Sequence, residues 1–403
     1  MPNLTYQPLG DGPVDDLASL FNLAFGTKPE FSFEWIEKTG RRHYRRVSDG
    51  HRTLATIMLL PMGAYFGGQL VSLTGIAGVA VAPEARGKGV ARWMMQQAVA
   101  EMAASGVAVS GLYSAMHPLY RACGYEIAGS RYEHRVPMHL FPDFGRKPDA
   151  LAATPADKLR RERLASAYAA MHPGHLERIP YIWSRVERPR GAETDASNFI
   201  FESPEAPGEL EASVHVLLNR PTTSPGDFTL AVSDVAATTS HGWQRVSSFL
   251  RGFTSIPAEA VFHGGPVHPL LVLVHDRRFK STLVDHWMLR IVDAPTAIAQ
   301  RGFARGLNLS IPIHIDDALV PANGGVWTLH IADGRGTLER RAATGAPEPV
   351  AARLSARGLA PLFTGFLSAT QLAAIGLADG DSEALARLDA AFAGPAPSTP
   401  DFY

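Results

Sequence analysis

The chain has 403 residues, 46% hydrophobic and 19% charged, with one cysteine and a formal net charge of −1. That length calls for roughly two to four domains, in a composition typical of soluble globular proteins. A charge so close to zero gives no global field to recruit nucleic acid or a membrane surface. The lone Cys123 excludes an intramolecular disulfide and fits a reducing compartment.

The N-terminal stretch MPNLTYQPLGDGP has no basic segment followed by an apolar one, so no signal peptide is expected, and the cytoplasm is the expected location. Residues 13–25 place Val14, Leu17, Ala18 and Phe21 at helical spacing, with Pro13 suited to a first helical position and Asp15 and Asp16 in the first turn. Phe31, Phe33 and Trp35 alternate with Glu30 and Glu34. Core packing explains such a cluster; so does the lip of a substrate site, with Glu30 and Trp35 as its contacts. Residues 52–60 and 69–74 read as a hairpin around a loop at 61–68. Pro61 and Gly63 also interrupt the most apolar stretch of the chain, which is too short to span a bilayer.

The organising stretch comes next, IAGVAVAPEARGKGVA at 76–91. Val79, Ala80 and Val81 read as a buried strand, and Arg86, Gly87, Lys88, Gly89, Val90 and Ala91 as a basic glycine loop opening a helix. Free N–H groups and the positive dipole end of that helix make an anion cradle, which the two glycines let a phosphate approach. From the loop alone, an ordinary strand-to-helix turn is equally open. A second strand at 107–113 follows, then Tyr120-Arg-Ala-Cys-Gly-Tyr125, then a strand over 125–136. The stretch 141–149, FPDFGRKPD, reads as a linker.

The second region repeats the rhythm: a helix at 155–171, strands at 199–202, 210–218 and 228–235, and a helix at 243–250. Its strand-to-helix junction, AATTSHGW, lacks basic glycines, and runs at 261–268 and 270–274 close it. Residues 276–280 read as a link. The third region opens with a strand at 287–295 and continues through runs at 307–315, 326–331 and 359–367 and a helix at 382–392. The tail holds three prolines in its last nine residues, 395–403; it is either disordered or steered into a site with little entropy to lose.

Arg86, Gly89 and Ala91 follow the Arg/Gln-x-x-Gly-x-Gly/Ala spacing of the GNAT acetyltransferase superfamily, and YRACGY resembles its Tyr-x-x-x-Gly-Phe/Tyr segment. With the segments GVAVAPEARGKG, DHWMLRIVDAPTAI and ARLDAAFA, the whole chain resembles the Eis acetyltransferases. The resemblance implies an α/β (α+β) chain: a catalytic GNAT domain over 1–145, a second GNAT-like domain without a CoA loop over 150–283, and a sterol-carrier-protein-like domain over 284–403. It implies a hexamer using acetyl-CoA to acetylate primary amines of aminoglycosides, other polyamines or lysine side chains. Val79, Ala80 and Val81 would hold the pantetheine arm and acetyl carbonyl through the backbone, and Arg86 to Ala91 the pyrophosphate. Tyr120 would be the general acid, and the Tyr403 carboxylate would reach the active site.

That chemistry needs N–H donors where charge develops on the carbonyl and a phenol, protonated at neutral pH, for the leaving thiolate. Several positions depart from the family pattern in ways that reshape the amine pocket and make it less acidic. Asp401 and Phe402 exchange the usual order at the chain end, where both remain candidate substrate contacts. Ala115, Met116, His117 and Pro118 replace the small, polar and acidic residues usual before the tyrosine, and Gly78 stands where some members have an aromatic. Cys123 reads as a small buried hydrophobe rather than a nucleophile, and His117 as a surface loop residue. The alternatives are a lysine or peptide N-acyltransferase and a non-catalytic CoA- or lipid-binding module. There is no Gly-x-Ser-x-Gly elbow, and His263 and His268 lack further metal-ligand spacing, so no metal is expected.

Overall fold

The computed structural model describes residues 4–145, 149–219, 228–341 and 350–403; part of the expected linker, residues 146–148, lies outside them. The chain forms two compact units, Met1–Ala128 with Trp287–Gly394 and Tyr403, and Gly129–His286 with Pro395–Phe402.

The first unit begins with β1 (Thr5–Pro8), α1 (Asp15–Phe25), α2 (Pro29–Thr39), β2 (Tyr44–Ser48), β3 (Thr53–Phe66) and β4 (Gln69–Val81). It continues with α3 (Val90–Ala104), β5 (Val109–Tyr113), α4 (His117–Arg121) and the start of β6 (Glu126–Pro137). Strands β1 to β4 form an antiparallel meander. β5 then joins β4 in parallel, which requires a crossover, and α3 supplies it. α1 buries Leu17, Ala18, Leu20 and Phe21, and Gly26 closes it at φ 65°. Pro13 precedes the N-cap Val14 rather than opening the helix. The expected loop at 61–68 is instead strand, with Gly67 and Gly68 alone making the turn. Pro61 lies opposite Thr74 in the β3–β4 ladder and beyond the end of the β2 ladder, which stops at Met58↔Tyr44.

The second unit carries the rest of β6, then β7 (Leu151–Ala152), α5 (Lys158–Ala170), β8 (Leu176–Glu177), α6 (Pro180–Glu187), β9 (Ser197–Glu202) and β10 (Leu210–Asn219). After these come β11 (Thr229–Ala237), α7 (Ser240–Arg251), β12 (Glu259–Gly264), α8 (Pro269–Leu273) and the start of β13 (Lys280–Ile291). β11 and β12 pair in parallel across α7, as β4 and β5 do across α3. Phe201, Val214, Val232, Val246, Leu250 and Phe262 make the core. The expected link at 276–280 is irregular over 276–279 and enters β13 at Lys280, and the run at 270–274 is helical over 270–273: Pro269 opens α8, and His268 Nδ1 accepts the N–H of Leu270.

Four buried histidines of this unit are held neutral. Burial lowers His215 to about 4, His263 and His268 to about 3, and His175 well below its ordinary value. An unfolded chain binds protons at these positions below about pH 6.5, while the folded one resists until far lower. The stabilisation is therefore complete above pH 6.5 and lost as pH falls from there toward 3–4. We expect Tm to drop measurably between pH 7 and pH 5 in thermal scans. A flat Tm over that interval would contradict the burial.

The first unit resumes at Trp287 with the end of β13, which pairs antiparallel with β5. It continues with α9 (Ala294–Gln300), β14 (Leu309–Asp316), β15 (Gly325–Ala332), β16 (Arg335–Arg340), β17 (Ala352–Ser355), α10 (Ala356–Thr364), α11 (Ala369–Ala374), β18 (Ala378–Gly380) and α12 (Ser382–Phe392). The five strands β16-β15-β14-β17-β18 form one sheet. The run at 359–367 lies mostly in α10, whose N-cap Ser355 accepts from the Gly358 N–H. The apolar core between this sheet and its helices leaves about 10 Å³ of space, too little for a water. This region locks onto β4 through Gln300 Oε1, which accepts from the N–H and hydroxyl of Ser72. Gly67 and Gly302 also touch there, so closely that a Cβ on either would strike the other's carbonyl oxygen. The unit boundaries fall within β6 and β13, so these two strands each pass from one unit to the other. Among the described residues, no helix is long and apolar enough to cross a membrane.

Candidate active site

The site is built on β4. Its register with β3 passes from Met58↔Ala77 to Thr56↔Ala80, three residues on β4 against two on β3, so Gly78 and Val79 form a bulge. Gly78 has φ +57°, the left-handed conformation that glycine takes at bulges. β4 and β5 pair only from Leu73↔Val109 to Ile76↔Leu112. Beyond that point, among the described residues, Val79, Ala80 and Val81 have a strand partner on the β3 side alone. One backbone edge of β4 is thus left open.

Directly after this edge comes the loop. Arg86, Gly87, Lys88 and Gly89 are all exposed, and Arg86 Nε donates to the Val81 carbonyl at 3.3 Å. Gly87 and Gly89 have φ +73° and +79°, and nothing lies within 4 Å of where a Gly87 Cβ would be. Gly89 caps α3 without any side-chain hydrogen bond. The first N–H groups of α3 thus have no side-chain cap and stand next to the exposed cations Arg86 and Lys88, a donor set that fits the diphosphate of a nucleotide cofactor.

The matching junction in the second unit is chemically opposite. There Thr239 Oγ1 caps α7 through the Gly242 N–H. The buried Glu211 carboxylate accepts from Thr239, His241 and Arg245 beside the same helix start. A carboxylate of the protein already occupies the place of an anion.

Tyr120 lies in α4, buried, with its ring edge-on to Tyr125 at 6.2 Å. Burial, and then the nearby Cys123, push its phenol up to about 12, so it is protonated at neutral pH. Its turn is fastened from the C-terminal region. Arg290 donates to the Cys123 carbonyl at 2.7 Å and to both oxygens of Asp317 at 2.8 Å. Gly124, at φ +83°, is where the guanidinium passes; a Cβ there would lie 1.6 Å from Arg290 Nη1. Cys123 is fully buried, and burial raises its thiol. Tyr125 donates to Ser110, which donates to the Thr74 carbonyl.

The chain end reaches the same strands. Gly75 and Gly111 face each other across β4 and β5, and the Tyr403 ring covers both. Cβ atoms there would lie 2.8 Å from its Cε2 and 3.0 Å from its hydroxyl. Tyr113 stacks edge-on against it at 5.8 Å. The glycine pair was not singled out in the sequence; glycines inside two apolar strands, after Thr74 and Ser110, are the signal that marked them. Gly111→Val is expected to push the Tyr403 ring out and lower kcat/KM about tenfold or more, given an overpacking cost of about 1–3 kcal/mol. Steady-state kinetics on the purified variant check this.

The remaining candidates are scattered. Glu30 is exposed in the first turn of α2. Trp35 packs on Phe21 at 4.9 Å, and its ring comes within 3.4 Å of a Cβ built on Gly78, so it supports the bulge from behind. Phe402 is half-buried. Asp401 is buried and paired with Arg178, whose Nε donates to both carboxylate oxygens at 3.1 Å. Among the described residues no group of three or more His, Cys, Asp or Glu side chains is arranged to hold a metal ion.

Residues 5–128 match the model of an acetyltransferase (GNAT) domain, residues 174–291 that of another acetyltransferase (GNAT) domain, and residues 294–400 that of a sterol carrier protein domain. The fold and these matches define a GNAT acetyltransferase. Among curated proteins, N-acetyltransferase Eis of Mycobacterium tuberculosis is 29% identical over 338 residues, 80% of this chain and 78% of its own. The GCN5-related N-acetyltransferase of Kribbella flavida superposes with a TM-score of 0.83 at 28% identity, covering 100% of this chain and 98% of that one. Two further structures share the fold: a GCN5-related N-acetyltransferase of Anabaena variabilis (TM-score 0.91, 24% identity, 100% of both chains) and Eis1 of Mycobacterium abscessus (0.77, 18%, 98% of both). The chain is an acetyltransferase with two GNAT domains followed by a sterol carrier protein domain, and it is similar to the Eis N-acetyltransferases.

Proposed function

We propose that the chain transfers the acetyl group of acetyl-CoA to primary amines of aminoglycosides or similar polyamines, by direct attack of the amine with Tyr120 as general acid. The observation that carries this reading is that one unit combines the uncapped glycine loop, the opened edge of β4 and a buried, protonated phenol. Acetyl-CoA would supply the acetyl group as an activated thioester. In this reading Arg86, Gly87, Lys88, Gly89, Val90 and Ala91 bind the phosphates. The backbone of Val79, Ala80 and Val81 orients the pantetheine arm and the carbonyl, where fixed N–H donors favour developing negative charge.

Tyr120 holds a proton at its phenol oxygen for the leaving thiolate. The Tyr403 carboxylate, at the end of a residue already lodged over Gly75 and Gly111, anchors the amine cation and accepts its proton through water. Glu30, Trp35 and Phe402 border the acceptor side. Asp401 is committed to Arg178 and is not counted among the groups that touch the amine.

Thiol release from acetyl-CoA, measured against aminoglycosides, linear polyamines and lysine peptides, tests this. Turnover is expected on multi-amine acceptors. Turnover on lysine peptides alone would move the assignment to a protein acetyltransferase. Tight CoA binding without turnover on any amine would overturn it.

A further inference from the structure

Tyr120 stands on a helix too short to hold it alone. α4 has five residues, and its N-cap Met116 makes no side-chain hydrogen bond. A single uncapped turn has little stability of its own in water, so the groups packed around it set the place of the phenol. Arg290 holds the end of the turn through the Cys123 carbonyl. A second tie starts at Arg121, the residue after the phenol, whose guanidinium donates to both oxygens of Glu126 at 2.7–3.1 Å. Glu126 accepts in addition from the Ile127 N–H at 3.0 Å and from Arg357 Nε at 2.9 Å.

Arg357 belongs to α10, in the sterol carrier protein domain, and this helix borders the segment that follows Tyr120. Ala356 lies 3.4 Å from where a Gly124 Cβ would be, Arg357 holds Glu126, and Thr364 donates to the Ala128 carbonyl at 2.8 Å. Toward the domain interior, Leu359 and Phe363 enter the apolar core, which leaves about 10 Å³ of space. Arg301 also donates to the Phe363 carbonyl at 2.8 Å, near the end of the helix. A helix seated on a filled core has no slack to shift inward. All of these groups lie within the first unit. An exposed ion pair would contribute little, but the Glu126 side chain is only 6% exposed. Burial by itself would raise its carboxyl; Arg121 and Arg357 hold it below its ordinary value, so it is ionised at neutral pH.

We infer that Glu126 is a positioning residue for the general acid, and that α10 of the sterol carrier protein domain is the platform against which it sets Tyr120. Arg357 fixes the carboxylate, the carboxylate fixes Arg121, and Arg121 fixes the turn that carries the phenol. The sterol carrier protein domain thereby takes part in acetyl transfer by holding a helix in place. The inference rests on the acetyl-transfer reading above for its kinetic consequence, but not for the brace itself.

Arg357→Gln is the variant of choice. Arg357 is 38% exposed, and Glu126 keeps Arg121 as its partner, so no buried charge is left alone and the fold survives. The variant is expected to speed amide exchange at Ala122 and Cys123, whose N–H groups bond to the Pro118 and Tyr120 carbonyls. Its kcat should fall about tenfold, within what a small misplacement of a reacting group costs, with KM for acetyl-CoA unchanged. In a Tyr120→Phe background the same substitution should lower kcat no further, since both act through one phenol. Arg357→Lys should recover part of the loss by returning a cation to Glu126. Faster exchange with undiminished kcat, or losses that add in the double variant, would overturn the positioning role; unchanged exchange would overturn the brace. A wild-type chain that acetylates no amine would overturn the proposed function, and the kinetic role with it, while exchange would still report on the brace.

Discussion

Tyr120→Phe is expected to lower kcat by about 10²–10⁴, the range for loss of a positioned general acid, while acetyl-CoA still binds with wild-type affinity. The substitution removes one oxygen from a ring whose packing against Tyr125 is unchanged, so the fold should survive. Because burial holds the phenol near 12, the wild-type proton is present across the whole working range. The pH profile of kcat should accordingly show no basic limb from this group below about pH 10. Thiol-release kinetics and calorimetry of acetyl-CoA binding, run on both proteins, check the two halves. Turnover undiminished in the variant would leave the fold standing and remove Tyr120 from the mechanism.

Arg290→Met is expected to cost about 3–5 kcal/mol of stability, the penalty for breaking a buried ion pair from one side. The guanidinium is fully buried, paired to Asp317 and bonded to the Cys123 carbonyl. Its loss leaves a carboxylate and a carbonyl short of partners in a dry site. Asp317 would still accept from the N–H groups of Leu319 and Val320 and from Asn323, but none of those carries charge. Arg290→Lys should rescue little, because one ammonium lacks the planar fork that serves the carbonyl and both oxygens together. Denaturant midpoints of the three proteins test this. Near-identical midpoints would mean the pair is dispensable. The same substitution should impair transfer, since the bond from Arg290 fixes the turn that carries Tyr120.

Much of the first site was legible because its chemistry is local. The loop from Arg86 to Ala91 declares itself through two glycines, two cations and a helix start within six residues, all governed by near-neighbour geometry. The YRACGY turn is equally compact. The Gly78 bulge was less legible: a glycine inside an apolar run is consistent with a plain strand, and only the pairing with β3 shows one residue too many. The extended β3–β4 hairpin was misread at Pro61, which lies inside that ladder opposite Thr74 but past the end of the β2 ladder. Asp401 carried an acidic label from its place near the chain end, yet its partners, Arg178 and Asp234, come from far upstream.

The glycine loop with its two cations, the phenol of Tyr120 and the lack of basic glycines at the second strand-to-helix junction follow from residue types and spacings along the chain. Short-range sterics and hydrogen-bond geometry dictate them whatever the rest of the molecule does. The pairing of Gly75 with Gly111 beneath Tyr403, the clamp of Arg290 on the Tyr120 turn and the docking of the tail beside Asp234 follow from folding alone. Each brings together groups far apart in sequence, and each depends on burial, which turns an ordinary arginine or aspartate into a fixed partner because no water remains to replace it.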